Sequence, residues 1–216
     1  MSSEETEVVS QLCARRPLAV RVLRRHGIDP SSSSTLGACC QKRGVELGST
    51  LAELTTIEDT VAGSWRARAM PDLLDHVMRT YHRPFAGELD TVAATLDRAR
   101  PGDEAGRTAW AELRHQLDEL RTDLVDHMLK EERVLFPWLR ARAETAAAPI
   151  RAMQLEHGDT IQLLLGVHAA AVRWQATTTG DVARDAMAKL DALEAWLCEH
   201  IHLENNELFR RALETP

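Results

Sequence analysis

Aromatic residues make up only 4% of the 216-residue chain. All-β folds lean on aromatic and β-branched side chains, so this scarcity, with leucine and alanine carrying the apolar share, predicts an all-α protein. Cysteine is sparse as well. Cys13, Cys39, Cys40 and Cys198 show neither CxxC spacing nor the density of a disulfide scaffold, and reduced thiols are expected. Dense runs of Lys or Arg are missing too, and with 33 acidic against 26 basic residues the net charge is −7, which excludes nucleic acid as an expected partner. The N-terminus is acidic where a signal peptide is basic. The longest uncharged apolar stretch, residues 161–172, contains Gln162 and His168 and is well short of the roughly 20 residues that span a bilayer. A cytoplasmic protein with no membrane partner is therefore expected.

What is present is an ordinary globular composition, 44% hydrophobic and 27% charged, in a mass of 24.1 kDa. Residues 5–60 read as short helices broken at Arg15-Arg16-Pro17, at the stretch from Gly27 to Ser34, and at Gly44. This predicts a small helical N-terminal domain over residues 1–63. Residues 64–216 are expected to form a second domain of four long helices, at about 71–98, 105–143, 149–177 and 181–213. Pro71 and Pro149 suit first helical turns, and Asp181 after Gly180 suits an N-cap. Short connections make successive helices antiparallel, which gives an up-down-up-down four-helix bundle.

Chemistry enters through the apolar stripes. Steps of three and four along the second long helix give Leu113, Leu117, Leu120, Leu124, His127, Glu131, Leu135 and Trp138. The fourth gives Leu190, Leu193, Leu197, His200, Glu204 and Leu208. The first places His82 between Met78 and Phe85, and the third places His157 between Met153 and Ile161. Burying four imidazoles and two carboxylates would cost several kcal/mol per unpaired charge, and a metal centre compensates them together. Nitrogen and oxygen ligands without thiolate suit iron or manganese better than structural zinc. Six ligands exceed the needs of one tetrahedral ion. If both glutamates bridge two ions, each ion keeps an open position for a small ligand.

The first helix fits less well, since His82 comes level with the others only if the connection around Pro101 is long or the helix bends at Pro84. His26, His76, His115 and His202 are expected to be ordinary, and His168 to be core or partly exposed. Glu156, beside His157, and Asp123, one turn before His127, are candidate acids for proton delivery or ion entry.

The strings Tyr81-His82, His127-Met128-Leu129-Lys130-Glu131-Glu132 with Leu135-Phe136-Pro137, Glu156-His157, and His200-Ile201-His202-Leu203-Glu204-Asn205-Asn206 with Leu208-Phe209 resemble one family. It is the hemerythrin-like di-iron proteins for repair of iron centres, and the resemblance covers nearly the whole chain. It implies two non-haem, oxo- or hydroxo-bridged iron ions on His82, His127, Glu131, His157, His200 and Glu204, with Glu131 and Glu204 bridging. It also implies a role in nitric oxide and oxidative stress: reaction with nitric oxide, with reduction to nitrous oxide as one form of it, or donation of iron to proteins with damaged iron-sulfur clusters. A hemerythrin-like module that binds or senses oxygen or nitric oxide without turnover is the alternative. The sequence leaves monomer and homodimer both open. In the family, the N-terminal loop reads Asp, aromatic, Cys, Cys, Gly, Gly. Here it reads Asp29-Pro30-Ser31-Ser32-Ser33-Ser34, and the thiols are missing. Cys39 and Cys40 follow on the next helix, where adjacent side chains diverge.

Overall fold

A computed structural model describes residues 3–63, 65–141 and 147–214. The N-terminal turn signals act where they stand. Helix α1 (Val9–Arg15) stops before Pro17, α2 (Ala19–Arg25) stops before Gly27, and α3 (Leu36–Arg43) closes on Gly44 in the left-handed region at φ 67. Thr35 caps α3 by accepting from the Ala38 amide, and α4 (Leu47–Gly63) completes this part. Among the described residues there is no strand, only an isolated antiparallel bridge between Val8 and Thr35.

Four long rods follow. The first is α5 (Met70–Val77), a wide turn at Met78–His82, and α6 (Arg83–Arg98). The second is α7 (Glu104–Lys130), a wide turn at Glu131–Leu135, and α8 (Phe136–Arg140). The third is α9 (Ala147–Gln175), which is uninterrupted, and the fourth is α10 (Asp181–Leu203), a wide turn at Glu204–Phe209, and α11 (Arg210–Glu214). The expected four-helix bundle is thus present. Its third helix starts beyond residues 142–146, which lie outside the described residues. Asp181 is the first helical residue rather than the cap; Gly180 takes the capping position at φ 109, where its carbonyl accepts from the Arg184 amide.

The wide turns have i→i−5 hydrogen bonds: the Arg83 amide donates to the Met78 carbonyl, and the Phe136 amide to the Glu131 carbonyl. Pro84 and Pro137 explain two of them. A proline inside a regular helix lacks the amide and collides with the carbonyl four residues back, and widening the preceding turn relieves both faults. The third wide turn has no proline, and no local signal accounts for it. One extra residue per turn also rotates the stripe that follows. Trp138, expected in the core, is 39% exposed, while Phe136 and Leu139 face inward in its place.

Ion pairs fix the register. Arg114 faces Asp97 at 3.7 Å and Arg121 faces Asp90 at 2.5 Å, seven residues on in each helix. Continuing that register brings His82 level with residue 129, between His127 and Glu131. No sharp bend is needed, because α7 begins well past the end of α6.

One hydrophobic cluster runs from Val9, Leu12, Leu23 and Leu54 of the N-terminal helices into Phe85, Leu117, Ile161 and Leu197 of the bundle. Arg24 reinforces the contact, donating to Glu194 at 2.5 Å and Asp191 at 2.6 Å on α10. The Asp29–Ser34 loop is pinned locally. The Ser31 amide and hydroxyl both donate to Asp29, and the Val9 and Ser10 amides donate to the carbonyls of Ser34 and Ser32. Cys39 Sγ lies 3.5 Å from Ser32 Oγ, while Cys40 is buried and turned to Thr50, so the two thiols do diverge.

Candidate metal centre

Each of the six expected residues is carried inward by its apolar stripe, and the bundle brings all six together. None is more than 7% exposed. They form two overlapping groups, His82, Glu131, His200 and Glu204, and His127, Glu131, His157 and Glu204, whose ligand atoms lie within 4.8 Å of one another. In the first, His82 Nε2 is 3.2 Å from His200 Nε2 and 3.5 Å from Glu131 Oε2 and Glu204 Oε1. In the second, His127 Nε2 is 2.9 Å from His157 Nε2 and 3.5 Å from Glu131 Oε1, and Glu204 Oε2 is 3.1 Å from His157 Nε2. Each glutamate therefore lends one oxygen to each group, as two bridging carboxylates would.

The donor set fits a pair of cations. All four carboxylate oxygens of Glu131 and Glu204 are buried and have no hydrogen-bond partner, although an unsatisfied buried carboxylate is strongly unfavourable. Two of the wide turns begin on Glu131 and Glu204, and the third ends on His82.

The sequence profile of the Hemerythrin HHE cation binding domain matches residues 73–212. The iron-sulfur cluster repair protein YtfE of Dickeya chrysanthemi is 30% identical over 227 residues, 95% of this chain and 96% of its own length. Its counterpart in Musicola paradisiaca is 30% identical over 226 residues and that in Cronobacter sakazakii 28% over 225, each covering 95% of both chains. The chain belongs to the hemerythrin-like iron-sulfur cluster repair family.

In this family member the outward nitrogens of the imidazoles complete the design. His82 Nδ1 donates to Glu132 at 2.9 Å, His127 Nδ1 to Glu156 at 3.0 Å, and His157 Nδ1 to Asn205 at 2.9 Å. Each bond fixes the tautomer that turns Nε2 toward the centre. His200 Nδ1 has no such partner; its ring is stacked on Tyr81, with centroids 4.9 Å apart and planes 10° apart. A rule connects the four. Tyr81, Glu132, Glu156 and Asn205 each stand next in sequence to one of the six residues, and each serves the histidine of the preceding helix in a closed ring. A residue one position along is turned about 100° around its helix, which in a four-helix bundle points it at a neighbour.

Glu156 was expected from sequence near this site, and it also accepts from Lys130 at 2.9 Å. Asp123 points elsewhere, accepting from Thr160 of α9 at 2.8 Å. Glu132, Asn205 and Tyr81 were missed; their one sequence signal is adjacency to an inward residue. His202 is buried away from the cluster beside Asn206, His76 packs against Trp65 with the rings tilted by 34°, His26 pairs with Glu53, and His168 pairs with Glu194 at 3.3 Å.

Charge is distributed unevenly. Burial alone would raise the Glu204 carboxyl, but His200, His157 and His82 around it hold it well below the usual range. Burial would also lower His127, yet Glu131, Glu204 and Glu156 outweigh it and push the imidazole up to about 9. His82 is raised by the same balance, whereas in His200 burial wins and the imidazole is lowered. Without metal, protons therefore stand among the carboxylates. Burial and the Glu199 carboxylate push the Tyr81 phenol up, so it stays protonated.

Proposed function

We propose that His82, His127, Glu131, His157, His200 and Glu204 hold two iron ions, Glu131 and Glu204 bridging them. The protein then uses this centre in iron-sulfur cluster repair under nitric oxide or oxidative stress, by reacting with nitric oxide or by donating iron. The observation that carries the reading is the sharing of each glutamate between the two histidine pairs, with four carboxylate oxygens otherwise unpartnered. When bound, two irons with open positions supply affinity for a small diatomic molecule and a transferable store of metal.

The chain's own residues do the rest. Glu132, Glu156 and Asn205 hold three imidazoles in the orientation that presents Nε2, so the donor set is formed before any ion arrives. Phe136, stacked on His82, and Phe209, stacked on His157, are buried and shield those imidazoles from water. Glu156 is half-exposed and kept ionised, since Lys130 and His127 overcome the upward pull of its burial. It links His127 Nδ1 to solvent and keeps that nitrogen protonated, so that Nε2 is the one offered to an ion.

A second reading, reversible binding or sensing of nitric oxide or oxygen without turnover, is favoured by one feature. The Asp29–Ser34 loop offers hydroxyls where thiols would be, and serine cannot act as a thiolate at neutral pH. Damaged cluster proteins belong to the first reading alone, whereas nitric oxide and a cytoplasmic setting are common to both. No helix among the described residues is long and apolar enough to cross a membrane.

The experiment is to expose the reduced, iron-loaded protein to nitric oxide and then remove the gas. Nitrous oxide in the headspace, or iron transferred to an apo iron-sulfur acceptor, supports the repair reading. Full spectral recovery with neither product supports the sensing reading.

A further inference from the structure

Three of the four imidazoles are tied by a polar partner on Nδ1; His200 is tied by a ring. That ring, Tyr81, is the one tyrosine of the chain and is 2% exposed. Its centroid lies 5.4 Å from that of Trp196. Trp196 is half-buried and lines a surface groove of about 290 Å³ between α6 and α10, together with Val92 and Leu193. His200, Tyr81 and Trp196 thus make a stepwise aromatic path from the centre to the surface. The rings stacked on His82 and His157 are Phe136 and Phe209, which are far harder to oxidise and almost fully buried.

We propose, on the iron reading above, that Tyr81 and Trp196 are an electron-supply path that protects the centre when it meets a hydroperoxide. Tyrosine and tryptophan yield an electron only to a strong oxidant, which selects that class of co-reactant. A hydroperoxide takes two electrons and two protons from the site and solvent to become an alcohol and water. When the centre holds a single ferrous ion, that ion supplies one electron and becomes ferric. The second comes from Tyr81, whose phenol proton passes to the Glu199 carboxylate beside it. Trp196 then reduces the tyrosyl radical, Glu199 returns the proton to the phenol oxygen, and the indole N–H proton of Trp196 is lost to water. The oxidising equivalent ends at the surface, where a low-molecular-weight thiol quenches it by giving up a hydrogen atom. Tyr81 and Trp196 bind no iron themselves; they set where the damage goes.

The test uses the full chain loaded with iron, its iron content measured first. The protein is poised with one ferrous and one ferric ion, mixed with tert-butyl hydroperoxide, freeze-quenched and examined by electron paramagnetic resonance. An organic radical is expected in the wild type, a longer-lived tyrosyl radical in Trp196→Phe, and loss of the tyrosyl signal in Tyr81→Phe. Peptide mass spectrometry after repeated exposure should find oxygenated Trp196 in the wild type and less of it in Tyr81→Phe, with oxidation of exposed Trp138 unchanged. No radical in the iron-loaded wild type, a tyrosyl signal that survives Tyr81→Phe, or Trp196 oxidation indifferent to Tyr81→Phe overturns the proposal. Should Tyr81→Phe fail to load iron, the radical lifetime in Trp196→Phe decides alone. A wild type without iron overturns both the iron reading and the path, whereas iron without a radical overturns the path only.

Discussion

Replacing Glu156 by alanine tests how the centre is held, because this side chain touches an imidazole and none of the inward donor atoms. The change removes the 3.0 Å bond from His127 Nδ1 and both contacts with Lys130 Nζ. His127 then loses the partner that fixes its tautomer and ring angle, and groups in this position typically contribute about 10–100-fold in metal affinity. Glu156 is 32% exposed, so water can replace part of the bond, and the expected loss is at the low end, about tenfold or ~1.4 kcal/mol. Glu132→Ala on His82 should behave alike, since Glu132 is 33% exposed. Asn205→Ala on His157 should stay within the same range. The assay is iron competition against a chelator of known affinity, with Glu119→Ala as control, because Glu119 faces exposed His115 at 3.5 Å and accepts from Gln116 at 2.9 Å, and touches none of the six residues or their partners. Affinities unchanged in all three variants, or a loss in the control as large as in them, would refute the ring of supporting residues.

Three further outcomes follow from the same contacts. His127 is pushed up to about 9 in the metal-free protein, so its contribution to stability is complete below its ordinary value near 6.5 and is lost as pH rises through about 9; the metal-free melting temperature should fall across that window while the iron-loaded one does not, and a metal-free rise contradicts this. Glu131→Leu removes a fully buried carboxylate, so above about pH 9, where His127 no longer carries the charge that Glu131 stabilises, calorimetry should find its metal-free form melting no lower than the wild-type metal-free form although iron binding is lost. Arg24→Ala strands Glu194, 5% exposed, beside His168 alone, and should cost about 2 kcal/mol in denaturant unfolding without changing iron stoichiometry.

Much of the site was legible because a buried stripe must repeat at helical spacing, and a His or Glu inside it stands out from the leucines around it. The partners of the imidazoles were not legible in that way. Glu132 belongs to the second rod but serves His82 of the first, and Asn205 belongs to the fourth but serves His157 of the third, so no spacing along one helix connects them. Only the bundle geometry, which turns each neighbouring residue toward the next helix, makes the pairs. Asp123 shows the converse: one turn from His127 in sequence, it is committed to Thr160. Trp138 was misplaced because the extra residue of the wide turn at Glu131–Leu135 shifts the stripe, and helical periodicity carries no sign of that insertion beyond Pro137. The difficulty with His82 came from taking the end of α6 and the start of α7 as level, whereas the Asp97 and Asp90 ion pairs set α7 beginning well past the end of α6.

Whether the six buried side chains hold two irons between them is decided by metal analysis of the protein loaded anaerobically with ferrous iron and then desalted. About two irons per chain are expected in the wild type, less iron in His127→Ala and His200→Ala, and no loss in His76→Ala, whose imidazole packs against Trp65 outside the cluster. A stoichiometry near one, zinc retained in place of iron, or equal losses in all three variants would contradict the two-iron centre.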